Sequence, residues 1–151
     1  MNEEQDKHAI QEVIATFMRA SADGDIDRIL DLMAEDVVFL LAGQPPMRGR
    51  DAFAEAFRSN LGKVRIEGKS DIQEIHIAGD YAFCWNQLSV TVRPAADAPP
   101  DRLSVFSKEW QAKANQMVLF RRAGPVLSVF RREPDGRWVL FRDANMLTAV
   151  E

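Results

Sequence analysis

Asp143 and Asn145 stand two residues apart in the C-terminal run Trp138-Val139-Leu140-Phe141-Arg142-Asp143-Ala144-Asn145-Met146-Leu147, which is otherwise largely apolar. Strand side chains alternate between faces, so the carboxylate and the amide project the same way. Polar groups on an apolar surface need partners, or a cavity that uses them. A carboxylate lining such a cavity is desolvated. Its pKa rises, and it becomes serviceable as a general base or acid. Asp143 is therefore the candidate catalytic residue. The competing reading is a structural carboxylate that accepts backbone or arginine hydrogen bonds at the sheet end. Asn145 would hydrogen-bond a ligand carbonyl or satisfy a local loop. Phe39, Trp85 and Phe141 are candidate walls for the ligand, with plain core as the alternative for such aromatics. Asn86 points away from Trp85, so one of those two at most faces the cavity.

Other chemistry is sparse. His76 alternates with Ile75 and Ile77 and shares a face with Glu74, which reads as a solvated outer-face histidine. His8 sits beside Lys7 near the start and reads as surface. Nothing at metal-ligand spacing accompanies either, so no metal and no cofactor is expected. There is no Ser/His/Asp set, glycine-rich phosphate loop or nucleotide fingerprint. Arg48 and Arg50, around Gly49, could clasp an anion or be solvated. Cys84 lies between Phe83 and Trp85 and reads as a small buried hydrophobe.

The elements that must position these residues follow from periodicity. Ile10, Val13, Ile14, Phe17 and Met18 form one helical stripe, opened by Asn2 and Gln5 in the pattern of a capping box. Gly24 stops this helix. Asp25 caps a second, short one with Ile26, Ile29, Leu30 and Met33 inward, and Asp36 is expected to close it with a turn. Val37 to Leu41 reads as a short strand broken by Gly43-Gln44-Pro45-Pro46. A third helix is expected from about Arg50 to Asn60, with Phe53 and Phe57 inward and Gly62 ending it.

Thereafter the period becomes two. Val64 to Ala78 and Tyr81 to Arg93 read as long strands joined at Gly79-Asp80. Pro94 to Pro100 is a loop, and Asp101 to Asn115 fits a helix or a strand equally well. Met117 to Arg132 and Arg137 to Leu147 complete the set. Across Glu133-Pro134-Asp135-Gly136, a type I turn with glycine at positive φ puts Glu133 opposite Arg137. Continued regularly, this pairs Arg131 with Val139, Val129 with Phe141, and Leu127 with Asp143. One face then carries Leu127, Val129, Val139, Phe141, Asp143, Asn145 and Leu147. The other carries Val126, Ser128, Phe130, Trp138, Leu140, Ala144 and Met146. Both are largely apolar, so helices cover one and a second copy of the chain is expected to cover the other.

Helices followed by a run of antiparallel strands define an α+β fold in a single domain of 151 residues. A net charge of −4 and a pI near 5.3 argue against nucleic acid as a partner. No apolar run is of membrane-spanning length, and the acidic Met1-Asn2-Glu3-Glu4-Gln5-Asp6 start does not resemble a secretory signal, so the expected compartment is the cytoplasm.

Several segments resemble a known family. They are Ala22-Asp23-Gly24-Asp25 with Leu32-Met33-Ala34-Glu35-Asp36-Val37-Val38-Phe39; Gly43-Gln44-Pro45-Pro46-Met47-Arg48-Gly49; Gly79-Asp80-Tyr81-Ala82; and the final hairpin from Leu127 to Leu147. Together with the element order, they resemble the nuclear-transport-factor-2-like superfamily, and within it the SnoaL-like branch near the SgcJ/EcaC group of domains of unknown function. The resemblance implies a cone: three N-terminal helices packed on a strongly curved, mainly antiparallel sheet. It spans the chain except about Pro94 to Gln116, which is expected to be an insertion or lid over the pocket mouth.

The superfamily hosts isomerases, dehydratases, hydrolases, cyclases and non-catalytic domains, so the fold leaves the reaction open. Ketosteroid isomerase combines a tyrosine and a protonated acid with an aspartate base. Here the lone tyrosine, Tyr81, falls at a turn. The pocket histidines and tyrosines of scytalone dehydratase have no counterpart set, and Arg142-Asp143 only partly echoes the arginine flanked by aspartates of limonene epoxide hydrolase. The expectation is a homodimer holding a small apolar molecule, with cofactor-free acid/base chemistry by Asp143 on a carbonyl compound. The alternative is a non-catalytic ligand-sensing or dimerisation module.

Overall fold

A computed structural model of the chain describes residues 2–60, 64–94 and 118–150. Helix α1 (Glu3–Asp23) opens on the expected capping box: Gln5 N–H donates to the Asn2 side chain at 2.8 Å, and Asn2 N–H donates to Gln5 Oε1 at 3.1 Å. α1 ends at Gly24, and α2 (Ile26–Asp31) starts under the Asp25 cap, whose carboxylate accepts from Arg28 N–H. Met33 is not on α2 as expected. It begins β1 (Met33–Leu41), which is four residues longer at its start than the apolar run predicts. Asp36, expected in a helix-ending turn, lies inside that strand. An irregularity between Met33 and Val38 lets β1 carry the polar pair Glu35-Asp36 outward while Val37, Val38 and Phe39 stay buried.

β2 (Met47–Arg48), a two-residue strand beyond the proline loop, was not expected; it pairs with β1. Helix α3 (Arg50–Asn60) follows, then β3 (Val64–Ala78), β4 (Tyr81–Pro94), β5 (Phe120–Arg132), β6 (Trp138–Asn145) and a second unexpected short strand, β7 (Thr148–Val150). The helix-ending role of Gly62 and the lid or insertion over 94–116, Pro94 excepted, lie outside the described residues.

The seven strands form one open, curved sheet in the order β2-β1-β6-β5-β4-β3, with β7 on β5. Every described pairing is antiparallel except β1 with β6. The turn between β5 and β6 is as expected: Glu133 N–H donates to Arg137 O and Gly136 N–H to Glu133 O, both at 2.8 Å. Gly136 takes φ 90°, which a side chain rarely adopts.

The helices cover the concave face. Ile10, Ile29, Met33, Val37, Phe130 and Trp138 make the centre of the core there. Apolar burial of this order is the main force closing helices onto sheet. One polar clamp joins it: Asp6, 3% exposed, accepts from Arg132 Nη2 at 2.8 Å and from Trp138 Nε1 at 3.1 Å, and the Arg132 guanidinium lies 4.7 Å from the centre of the Trp138 ring. It fixes the first turn of α1 to the β5–β6 hairpin.

Candidate active site

β5 and β6 pair as expected from Arg132–Trp138 through Phe130–Leu140, and then the register slips. Val129 faces Arg142, Ser128 faces Asp143, Leu127 faces Ala144 and Val126 faces Asn145. Phe141 is the extra residue of a β-bulge, so Phe141 and Arg142 together oppose Val129. The expected pairs Val129–Phe141 and Leu127–Asp143 are therefore wrong, and the face assignment after residue 140 inverts. Asp143 and Asn145 share a face with Val126, Ser128, Phe130 and Leu140, not with Leu127 and Phe141.

The bulge is held from outside. Both Arg131 and Arg142 place their guanidinium groups over the Phe141 ring, at 4.6 and 3.8 Å from its centre, and the Tyr81 ring lies 5.7 Å away. Arg142 Nη1 donates to the carbonyls of Asp36 and Phe141, both at 2.8 Å. Arg131 grips the Asp36 carboxylate through both terminal nitrogens, at 3.2 and 3.0 Å, and this holds the Asp36 carboxyl below its ordinary pKa.

The inverted register brings the carboxylate into a cavity of about 260 Å³ between sheet and helices. Val13, Ile14, Phe17 and Met18 of α1 form one wall, with Phe53 of α3. Phe39 lines it too and stacks on Phe53 at 5.1 Å between ring centres. The floor is read off the strand registers in two rows. The first runs Phe39, Asp143, Ser128, Cys84; the second runs Leu41, Asn145, Val126, Asn86.

Asp143 is half-buried: it borders the cavity but lies deep within an apolar surround. Desolvation raises its pKa from the ordinary 3.8 to about 6, partly opposed by Ser128, whose Oγ donates to Asp143 Oδ1 at 2.6 Å. Cys84, wholly buried one position further along the row, has its thiol pushed up to about 11, first by burial and then by the charges of Asp143 and Glu74. It is a packing residue. Asn145 borders the cavity, but its Oδ1 accepts from Leu147 N–H at 2.9 Å, the local-loop role.

Of the expected wall residues, Phe39 lies in the cavity. Trp85 and Phe141 do not: both are on the convex face, Trp85 because Asn86 takes the concave side of β4, and Phe141 because of the bulge. Ser128 and Ser70 were not among the expected site residues; Asn86 was weighed only as the residue that faces the cavity if Trp85 does not, and it is the one that lines it. Ser128 had a signal, as the one hydroxyl in the apolar alternation Val126, Ser128, Phe130. His76 is on the outer side, 3.2 Å from Glu74 and stacked on Phe83. Arg50 reaches Glu35 at 3.2 Å. Among the described residues no three His, Cys, Asp or Glu side chains converge as a metal site, and no helix is long and apolar enough to cross a membrane.

The comparisons agree with this architecture. The family model of the SnoaL-like domain matches residues 14–141. A conserved protein of Planctomyces limnophilus has a similar structure, with a TM-score of 0.80 and 29% identity over 98% of this chain and 100% of that one. A nuclear-transport-factor-2-like superfamily protein of Salmonella enterica shares the fold at TM-score 0.73 and 15% identity, covering 99% of this chain and 94% of its own. A ketosteroid isomerase-like protein of Erwinia carotovora atroseptica does so at 0.70 and 21%, covering 100% and 99%. No curated protein matches the chain. The chain belongs to the SnoaL-like family, and its fold is the one seen in the nuclear-transport-factor-2-like protein of Salmonella enterica.

Proposed function

We propose that the cavity binds a small, mostly apolar carbonyl compound and that Asp143 moves a proton on it without a cofactor. The observation that carries this reading is Asp143 itself: a carboxyl raised to about 6, with a single hydroxyl partner among the described residues, bordering a mostly apolar cavity. A base with a pKa near the working pH balances availability against strength. In its ionised form Asp143 would remove a proton from the carbon beside the carbonyl, and the resulting acid would return it at another position. Isomerase- and cyclase-like steps share that beginning; in a hydrolase-like step Asp143 would instead take the proton from an attacking water. The ketosteroid isomerase-like name of one structural neighbour is in keeping with it, though that neighbour shares the fold alone.

Hydrogen–deuterium exchange beside the carbonyl of a panel of apolar ketones, followed by NMR in D2O, tests the proposal without knowledge of the product. Exchange above buffer that disappears in Asp143→Asn is expected. Exchange that survives in that variant rules out Asp143 as the base. A second, non-catalytic reading draws on the cavity walls: among the described lining residues, Asp143 is the one ionisable side chain. Ligand binding with no exchange across the panel would establish that reading.

The same proposal includes a homodimer through the convex face. Leu40, Leu127, Phe83 and Tyr81 are each 40–46% exposed on that side of the sheet, with Trp85 beside them. An apolar surface of this kind on an antiparallel sheet asks for cover. Sedimentation of the wild type as a monomer at micromolar concentration would contradict it.

A further inference from the structure

The far side of the cavity floor carries two polar atoms that Asp143 does not account for. Asn86 is 5% exposed, and its Oδ1 is buried with no hydrogen-bond partner among the described residues. Ser70 Oγ is likewise buried and, among the described residues, unpartnered. Both residues line the cavity, on adjacent strands. Asn86 faces Ile72 and Ser70 faces Leu88, so the two are diagonal neighbours, roughly 7–8 Å apart at the backbone and within reach of one small group between them. Around them the lining is apolar: Leu88, Val126 and Met18, whose methyl occupies the place a Gly68 side chain would take. Leaving such groups unpaired is costly, so an unpaired buried carbonyl beside a cavity calls for a donor.

We propose that Asn86 and Ser70 form a second pole of the site that recognises a hydroxyl on the ligand. A hydroxyl donates to Asn86 Oδ1 and accepts from the Ser70 hydroxyl, so one group satisfies both. Asn86 lies two strands and two residues from Asp143, about 12 Å between Cα atoms by sheet geometry, and Ser70 lies one strand and two residues beyond that, about 20 Å from Asp143. With both side chains reaching inward, a single ring bridges the gap. The substrate class is then a hydroxylated ring ketone, its carbonyl end at Asp143 and its hydroxyl end at Asn86 and Ser70. The cavity volume fits this, since about 260 Å³ accommodates on the order of ten non-hydrogen atoms. This inference rests on the binding half of the proposed function and not on proton transfer.

The test is calorimetric titration of the full chain with para-hydroxyacetophenone and para-methylacetophenone. Transfer from water alone favours the methyl compound. A site that reads the hydroxyl should reverse that order, binding the hydroxy compound at least about tenfold more tightly. Asn86→Leu should restore preference for the methyl compound, and Ser70→Ala should reduce the wild-type preference. Asp143→Asn should leave the preference in place. Equal binding of the two by the wild type, or loss of the preference in Asp143→Asn, overturns the second pole and leaves the cavity intact. Failure of both compounds to bind overturns the cavity reading and this inference with it. Unliganded stability gives an independent readout. Replacing an unpaired buried amide by leucine should hold or raise Tm, whereas a fall of about 5 °C or more would mean that Asn86 is a structural bond.

Discussion

Asp6 and Asp143 are both carboxylates drawn into the apolar interior, and the protein treats them in opposite ways. Asp6 is met by a guanidinium and an indole N–H, each directed at a different oxygen. Among the described residues Asp143 receives one hydroxyl and no cation, and it borders a mostly apolar cavity. The first charge is compensated, and it fixes α1 to the hairpin. The second is under-compensated, and its proton is held to about pH 6. Burial alone makes neither a catalytic group; the number and charge of the partners decide which carboxylate is a clamp and which can exchange protons.

The strongest way to sharpen this contrast is to neutralise each acid in turn. Asp143→Asn should lower exchange on a ketone substrate by about 10²–10⁴-fold, the usual worth of a positioned acid or base. It should also alter stability with a definite sign. The native pKa of Asp143 is raised, so the folded protein holds a proton that the unfolded chain has released between pH 3.8 and about 6. Wild-type stability attributable to this group is intact below about pH 4 and falls as pH rises through about 6, a loss on the order of 3 kcal/mol. Asp143→Asn should therefore exceed the wild type in denaturation midpoint at pH 7–8, with the advantage shrinking towards pH 4.

Asp6→Asn should do the reverse at neutral pH. It leaves the Arg132 guanidinium, 26% exposed, without its counter-charge beside Trp138. Urea unfolding should show a loss of about 3 kcal/mol, with exchange activity per folded molecule little changed. If Asp6→Asn were stabilising and Asp143→Asn destabilising at neutral pH, the two roles would have been assigned the wrong way round.

A smaller effect is expected from Ser128→Ala. The hydroxyl favours the ionised form, so its removal should shift the midpoint of the pH–activity profile upward by about one pH unit. The smallest concerns the bulge that turns Asp143 inward. Phe141→Leu removes the ring beneath Arg131 and Arg142 but not the extra residue, so it should cost about 1–2 kcal/mol in urea unfolding and leave the pH midpoint of activity where it was.

Much of the fold was legible because each local signal pointed the same way. The Asn2–Gln5 box, the Asp25 cap, the α1 stripe and the Glu133-Pro134-Asp135-Gly136 turn all say in a few residues what the chain does there. Asp143 also stood out, as a charge in an apolar strand. The face it points to did not, because that depends on one extra residue, and Phe141-Arg142 carries no glycine or other mark of a bulge. Ordinary alternation therefore put Phe141 beside Asp143 and put Leu127 opposite, where Ser128 stands. The short strands β2 and β7 are too brief for a period to emerge. Asp6 was readable, in retrospect, as the position one turn before Ile10 on the buried stripe of α1. An acidic N-terminus looks like a solvated one unless that helical phase is followed back to its first turn. Ser70 and Asn86 acquire meaning only from packing, since being unpaired is a property of the surroundings and not of the residue.

The most direct test is the titration of Asp143 itself. The wild type, labelled at aspartate carboxyl carbons, would be followed by ¹³C NMR from pH 3 to 8, with Asp143→Asn identifying the resonance. A midpoint near 6 is what a desolvated carboxyl with one hydroxyl partner requires. A midpoint at or below 4 would mean that Asp143 is a solvated or compensated carboxylate, and the acid/base role assigned to it would be wrong.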